Sequence, residues 1–439
     1  MSIIRRLLFV AVVAAVSLGA DDSGKPRTYQ QRRLALAKQH SDGQIVLFGY
    51  GEREAQDARS PFRQENNFYY LTGWNDPGAV LLLLPANTNQ PFHREILFLP
   101  EKNTSRERWT GPRTVPDEPD SDQKTGFSDV RGVAMLDSVV KQALAAYERI
   151  YGLLPRRHPN LAQQPEPDWT SRLAKLAGAY PVSSVRSALD EMRMVKSESE
   201  IRLIRRAIDA SVEAHLAAWK KIRPGLFEYQ LAAPMIERLM SLGCARPAYA
   251  PIVAGGRRAT ILHYRQNSSR VRSGEMVLID AGGEYRHYAA DITRTVPVDG
   301  RFTDRQREIY QAVLSAQKVV IAKVRPGMTL AGNGPKSLYR IARKKLDSQG
   351  TDRRGKPLGR YFTHGLGHHV GLGVHDPGHP KAALKPGMVI TIEPGVYLPE
   401  ENIGVRIEDM VLVTSDGGQV LSSALPKEPG EIERMMVRR

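Results

Sequence analysis

The chain has 439 residues with 63 Lys plus Arg, 47 Asp plus Glu and one cysteine, Cys244. That length makes two domains the expectation, while 41% hydrophobic residues with scattered Gly and Pro exclude a disordered polymer. One cysteine excludes a disulfide framework and any Cys-rich zinc module, and leaves Cys244 as a small buried residue.

The formal charge of +16 is dispersed in short groups such as Arg156-Arg157, Arg205-Arg206, Arg257-Arg258 and Arg343-Lys344-Lys345. No long basic run interleaves with aromatics, so nucleic acid is not an expected partner. At the amino terminus, Arg5 and Arg6 precede an apolar run from Leu7 to Leu18, then Gly19 and Ala20 before Asp21-Asp22. This is the order of a secretory signal over residues 1–20, with cleavage after Gly19 or Ala20 and an exported, periplasmic or secreted, product. The run is too short to span a bilayer comfortably, so no stable span is expected after cleavage; an uncleaved anchor is the alternative.

Residues 21–186 alternate short apolar runs with turns: Ile45 to Phe48, Ala79 to Leu84 and Ile96 to Leu99 are each the length of a strand, and together they predict a small α/β domain. Pro112 to Thr125 reads as a surface loop and Pro155 to Pro167 as a second loose stretch. The boundary is placed within Pro181 to Ser187, so residues 187–439 form the second domain. Ser197 with Glu200 makes a capping box ahead of Ile201, Ile204, Ile208 and Val212, which share a helical face. A further helix is predicted from Thr303 to Lys323, and no internal repeat is visible at the level of residues.

The chemistry collects in the carboxyl half. Met276 to Ile279 is a buried-strand pattern ending in Asp280, and Asp291 begins a second alternating segment through Thr293 and Thr295. A hairpin between the two runs would bring both carboxylates together, where they repel unless a metal ion intervenes. Val389 to Ile392 delivers Glu393 in the same way, and Gly404 to Met410 puts Arg406 and Glu408 on one face. Between these lie His364, His368, His369 and His375 among thirteen residues rich in glycine. His364 lacks a following Glu, and Gly365 and Gly367 disfavour a helix, so the cluster is not an HExxH zinc site but a loop or strand turn. His369, adjacent to His368, points to the other side of an extended chain.

Four carboxylates and one imidazole, Asp280, Asp291, His368, Glu393 and Glu408, make a hard, oxygen-rich ligand set suited to two divalent ions, most naturally Mn²⁺. His263, His364 and His375 are then available to donate hydrogen bonds to a substrate, an assembly that is a hydrolase site.

The strings ILHY (261–264), VLIDAGGEYRHYAADITRT (277–295), HGLGHHVGLGVHD (364–376), TIEPGVY (391–397) and GVRIED (404–409) resemble the metal-site motifs of the pita-bread metallopeptidases, most closely the aminopeptidase P family. PFRQENNFYYLTG (61–73) and RERWTG (106–111) are similar to the family's creatinase-like amino domain, so the resemblance covers nearly the whole chain. It implies an α+β fold with a carboxyl-terminal pita-bread domain behind a smaller α/β amino domain. It also implies cleavage of Xaa-Pro bonds at a dinuclear centre whose bridging hydroxide attacks the carbonyl before proline, with Glu393 relaying the proton. By the same resemblance His263 sits near the leaving nitrogen, His375 near the scissile carbonyl oxygen and His364 at the proline site, while Arg406 and Tyr397 stabilise the metal edge. Trp109 and Asp57 match residues that reach a neighbouring subunit's cleft, implying a homo-oligomer acting on proline-containing peptides. A prolidase, restricted to dipeptides, shares the fold and most of the site, and cleavage of a tripeptide discriminates the two. A non-catalytic pita-bread binding protein would lack the ligands.

Overall fold

The structure, a computed structural model, describes residues 26–52, 61–155 and 168–437. The signal expected at residues 1–20, Asp57 and nearly all of the loose stretch 155–167 lie outside the described residues.

The amino-terminal part is built on a six-stranded sheet. Gly43–Phe48 pairs antiparallel with Val80–Leu84, which pairs antiparallel with Arg94–Leu99. Val130–Gly132 extends one edge in parallel, and Arg149–Gly152 followed by Val182–Ser184 extends the other. The two central strands are buried along their whole length, which is why they read as unbroken apolar runs. Helices Leu136–Ala143 and Thr170–Ala177 place Leu136, Val140, Leu173 and Leu176 in the core. One expectation changes here. The segment Pro112 to Thr125 is not loop throughout: Ser121–Thr125 closes a short helical turn, because Gly126 takes a left-handed conformation and returns its N–H to the Asp122 carbonyl.

The carboxyl-terminal part begins with helix Glu198–Trp219, capped reciprocally by Ser197 and Glu200 as the sequence predicts. Helix Glu228–Ser241 packs beside it, and strands Ile252–Gly255, Met276–Asp280 and Thr293–Pro297 form an antiparallel sheet. The same order then recurs. Helices Asp304–Ile321 and Leu338–Asp347 are followed by strands Val389–Ile392, Asp409–Val413 and Gly418–Val420 in a second antiparallel sheet. A recurrence of elements is thus present where the residues themselves show no repeat. The chain is a smaller α/β domain ahead of an α+β domain. Among the described residues no helix is long and apolar enough to cross a membrane.

Candidate metal centre

Each carboxylate stands at or beside the end of a strand. Asp280 ends a fully buried strand, and its antiparallel partner sets Thr293 opposite it, so Asp291, two residues earlier, enters from the same end. Gly282 makes this convergence possible, since a Cβ there would overlap the Ala290 carbonyl. In the second sheet Ile392 lies opposite Asp409, which places Glu393 and Glu408 at matching strand ends. The halves are joined across the site: the Glu408 amide donates to the Thr293 carbonyl at 3.0 Å, and the Thr293 hydroxyl donates to Glu408 Oε2 at 2.6 Å. His368 is brought in by the segment beside Val389–Ile392, its amide donating to Thr391 Oγ1 and its carbonyl accepting the Thr391 amide.

Asp291, His368 and Glu408 bring ligand atoms within 4.8 Å of one another. His368 Nε2 lies 3.4 Å from Asp291 Oδ2 and 3.5 Å from Glu393 Oε1. Its Nδ1 is 3.2 Å from the His369 carbonyl, which can only accept, so that nitrogen carries a proton and Nε2 is the atom turned to the carboxylates, where a metal ion would take the place of its proton. Arg406 Nη2 donates to Asp280 Oδ2 at 2.6 Å, Nη1 to the Tyr397 hydroxyl at 3.1 Å and Nε to Thr293 Oγ1 at 3.2 Å. A cavity of about 320 Å³ is lined by all five expected ligands, by Arg406 and by His263, His364 and His375.

The electrostatics of the cluster follow from its crowding. Burial, reinforced by the neighbouring carboxylates, pushes Asp280 up to about 6 and Glu393 up to about 7, and raises Glu408 well above the carboxylate range. Asp291 is held low against burial because it accepts from His368. His368 itself rises to about 9: burial disfavours its charge, but Asp291 and Glu393 outweigh that. Four carboxyl groups in one buried site cannot all ionise beside a single imidazole. A divalent cation with a preference for oxygen removes the conflict, so the donor set fits the metal the sequence implies.

Arg406 and Glu408 are 4% and 2% exposed, so they are an inward pair and not the outward ion pair that strand alternation alone suggests. His364 Nδ1 is 2.8 Å from the Gly365 carbonyl, leaving Nε2 to accept the Tyr397 hydroxyl proton at 2.7 Å, and burial holds this imidazole down at about 4. Tyr397 therefore lies behind the cavity wall, touching His364 and Arg406. His263 sits at the exposed mouth, in the turn after Gly256–Thr260. His369 is buried and contributes no atom to the ligand cluster. Trp109 does not line this cavity; it is 89% exposed on the helix Thr104–Thr110, which buries no residue.

Sequence reasoning passed over Tyr249. Its hydroxyl lies 2.6 Å from Asp280 Oδ1 and 2.5 Å from Asp291 Oδ1, bridging the two aspartates. Nothing local in Ala248-Tyr249-Ala250 marks it. Thr293 and Thr391, which orient Glu408 and Glu393 through their hydroxyls, were visible as strand residues but not as partners of the ligands.

Residues 202–415 match the model of metallopeptidase family M24, and residues 29–151 match that of the aminopeptidase P N-terminal domain. The chain is 35% identical to the Xaa-Pro aminopeptidase of Haemophilus influenzae, over 93% of this chain and 96% of that one. It is 34% identical to the Xaa-Pro aminopeptidase of Escherichia coli, over 93% and 97%. The solved structure of E. coli aminopeptidase P with the inhibitor Pro-Leu superposes with a TM-score of 0.82 at 32% identity, covering 94% of this chain and 98% of that one. With both domain models in the expected order and relatives aligned from end to end, the chain belongs to the aminopeptidase P family of M24 metallopeptidases, a pita-bread catalytic domain behind its own amino domain.

Proposed function

We propose that this protein is a metal-dependent Xaa-Pro aminopeptidase, releasing the amino-terminal residue from peptides with proline in second position. The observation that carries the reading is the convergence of Asp280, Asp291, His368, Glu393 and Glu408 on one cavity with three further histidines around it. End-to-end similarity to Xaa-Pro aminopeptidases supports the substrate class. The five ligands would hold two divalent ions, Mn²⁺ by the oxygen-rich donor set, which when bound lower the pKa of water and polarise the scissile carbonyl.

The chain's own residues then divide the work. Glu393 accepts a proton on one oxygen and returns it to the leaving proline nitrogen. His375 donates an N–H to charge developing on the scissile carbonyl oxygen. His263 at the mouth lies beside the leaving nitrogen, and His364, fixed by Tyr397, lines the proline site. Arg406 holds Asp280 in its ligand orientation. Because the Xaa-Pro amide has no N–H, substrate is held by shape and by its terminal charges and not by the backbone donor that other peptides offer.

The charged, apolar and small-residue order of residues 1–20 supports export with removal of that segment. The exposed Trp109, among Arg106, Glu107 and Arg108, supports a homo-oligomer in which it walls a neighbour's cleft together with Asp57.

A peptide panel tests the function. With added Mn²⁺, a tripeptide Xaa-Pro-Xaa should yield free Xaa, and its Xaa-Ala-Xaa counterpart should remain intact. Cleavage confined to the dipeptide Xaa-Pro would make the enzyme a prolidase.

A further inference from the structure

The loop that carries His375 is held from outside the metal site. It leaves Val389–Ile392 at His369 and returns through Gly371, Leu372 and Gly373 without regular structure. Such a loop does not fix a side chain unless something else does. Two arginines grip it, Arg63 from the amino domain and Arg193 from the helix that opens the second domain. Arg63 Nη2 donates to the Leu372 carbonyl at 2.6 Å, and Arg193 Nη2, from helix Arg186–Met194, donates to Asp376 Oδ1 at 2.6 Å.

Asp376 is the next residue after His375, and its burial is unusual for a group serving only a surface turn. Its side chain is 1% exposed, Lys196 Nζ lies 3.1 Å from its other oxygen, and the Gly373 amide donates to Oδ1 at 3.0 Å. Its own amide donates to the His369 carbonyl at 2.8 Å, closing the loop behind His375. Gly371 is required here, since a Cβ would meet the Asp376 carboxylate and the Lys196 stem. Arg193 in turn passes the contact on: its Nη1 donates at 2.7 Å to Asn67, in the amino-domain helix Asn66–Thr72. On the other side, the His375 ring lies on His368 with centroids 3.7 Å apart.

We propose that Arg193, acting through Asp376, is a positioning residue for His375, so that the packing of the amino domain on the catalytic domain sets the imidazole that faces the scissile carbonyl. An ion pair buried at this depth is a poor source of stability compared with apolar packing of equal volume, whereas its directional bonds fix one geometry of the loop. Arg193 touches no ligand. Its effect on catalysis travels through one carboxylate to the adjacent histidine.

This inference rests on the proposed peptidase activity, and a double-mutant cycle tests it in the full-length, metal-loaded enzyme. Arg193→Met should lower kcat about 10- to 100-fold, the scale of a displaced catalytic group, with metal content and KM little changed. In the His375→Ala background the same substitution should cost no further kcat, because the group it positions is gone. Arg193→Lys, which keeps the charge, should recover much of the loss. Should the methionine variant fail to fold, Arg193→Gln carries the same cycle with a milder defect. Equal losses in both backgrounds, or no loss of kcat at all, overturn the proposal. Independently of activity, NMR of histidine-labelled metal-free protein reads the His375 ring protons, which the stacked His368 ring displaces. They should move in Arg193→Met while those of His40 stay, and an unmoved His375 resonance contradicts positioning even where wild-type enzyme leaves every Xaa-Pro peptide intact.

Discussion

His375 lies flat on His368, with ring centroids 3.7 Å apart and planes 13° from parallel. Two stacked imidazoles do not both carry charge, and the environment separates them: burial, with the charge of His368 added, holds His375 down at about 3, while His368 is raised to about 9. His375 is therefore neutral in the metal-free protein, with one N–H to offer. His375→Ala should retain its metal and lose on the order of 10²- to 10³-fold in kcat, the scale of one transition-state donor. Equal activity in the variant and the wild type, measured at saturating tripeptide, removes His375 from the chemistry.

His369 behaves differently from its neighbour. Read from sequence as facing away from the ligands, it invites the expectation that its loss is silent. The structure qualifies this, because His369 is 3% exposed and Gly378 packs against its ring so closely that any side chain there would collide with it. His369→Ala should keep metal and most of kcat but lose about 2 kcal/mol of stability through the cavity it leaves. Thermal unfolding and turnover, measured together, separate the two effects.

In the metal-free protein the crowded carboxyls of the site should contribute less stability as pH rises, whereas the depressed imidazoles of His364 and His375 act the opposite way below about pH 6.5. The folded-state values of Asp280, near 6, of Glu393, near 7, and of Glu408, higher still, all lie above those of unfolded carboxyls. Protonation therefore favours the fold, and this contribution is present below about pH 4 and is lost as pH climbs through 6 and 7. His368 acts in the same direction up to about 9, while Asp291, held low, matters only at acid pH. The gain in melting temperature on adding Mn²⁺ should consequently be larger at pH 8 than at pH 5. An equal gain at both contradicts the crowded-carboxylate account.

Trp109 should matter to a neighbour. Trp109→Ala should weaken peptide cleavage while metal content and the fold of the amino domain stay intact. Mixing it with a Glu408→Ala variant and allowing reassembly should recover activity, since one subunit supplies the wall and the other the metals. A strict monomer at working concentration, or no recovery after mixing, confines Trp109 to its own chain.

Much of the site was legible in the sequence because ligands at strand ends leave a local trace: an apolar run, a carboxylate, then glycine or proline. Asp280 and Glu393 carry that signature, and the capping box at Ser197 is equally local. Tyr249 was hidden because its function depends on a bridge to Asp280 and Asp291, 31 and 42 residues away. The same holds for Asp376, whose partners Arg193 and Lys196 lie about 180 residues earlier, and for the onward bond from Arg193 to Asn67 of the amino domain, none of which any periodicity encodes. Arg406 and Glu408 were legible only in company with the other carboxylates. Alternation placed them correctly on one face but gave no sign that this face turns inward.

The two-ion peptidase centre proposed at Asp280, Asp291, His368, Glu393 and Glu408 is tested most directly by its dependence on metal. Stripped enzyme should be titrated with Mn²⁺ while bound metal per chain and release of free Xaa from Xaa-Pro-Xaa are followed together. The account predicts no release without metal, saturation at two ions per chain, and loss of both binding and release in Asp291→Ala. Wild-type rates of release from fully metal-depleted enzyme would contradict it.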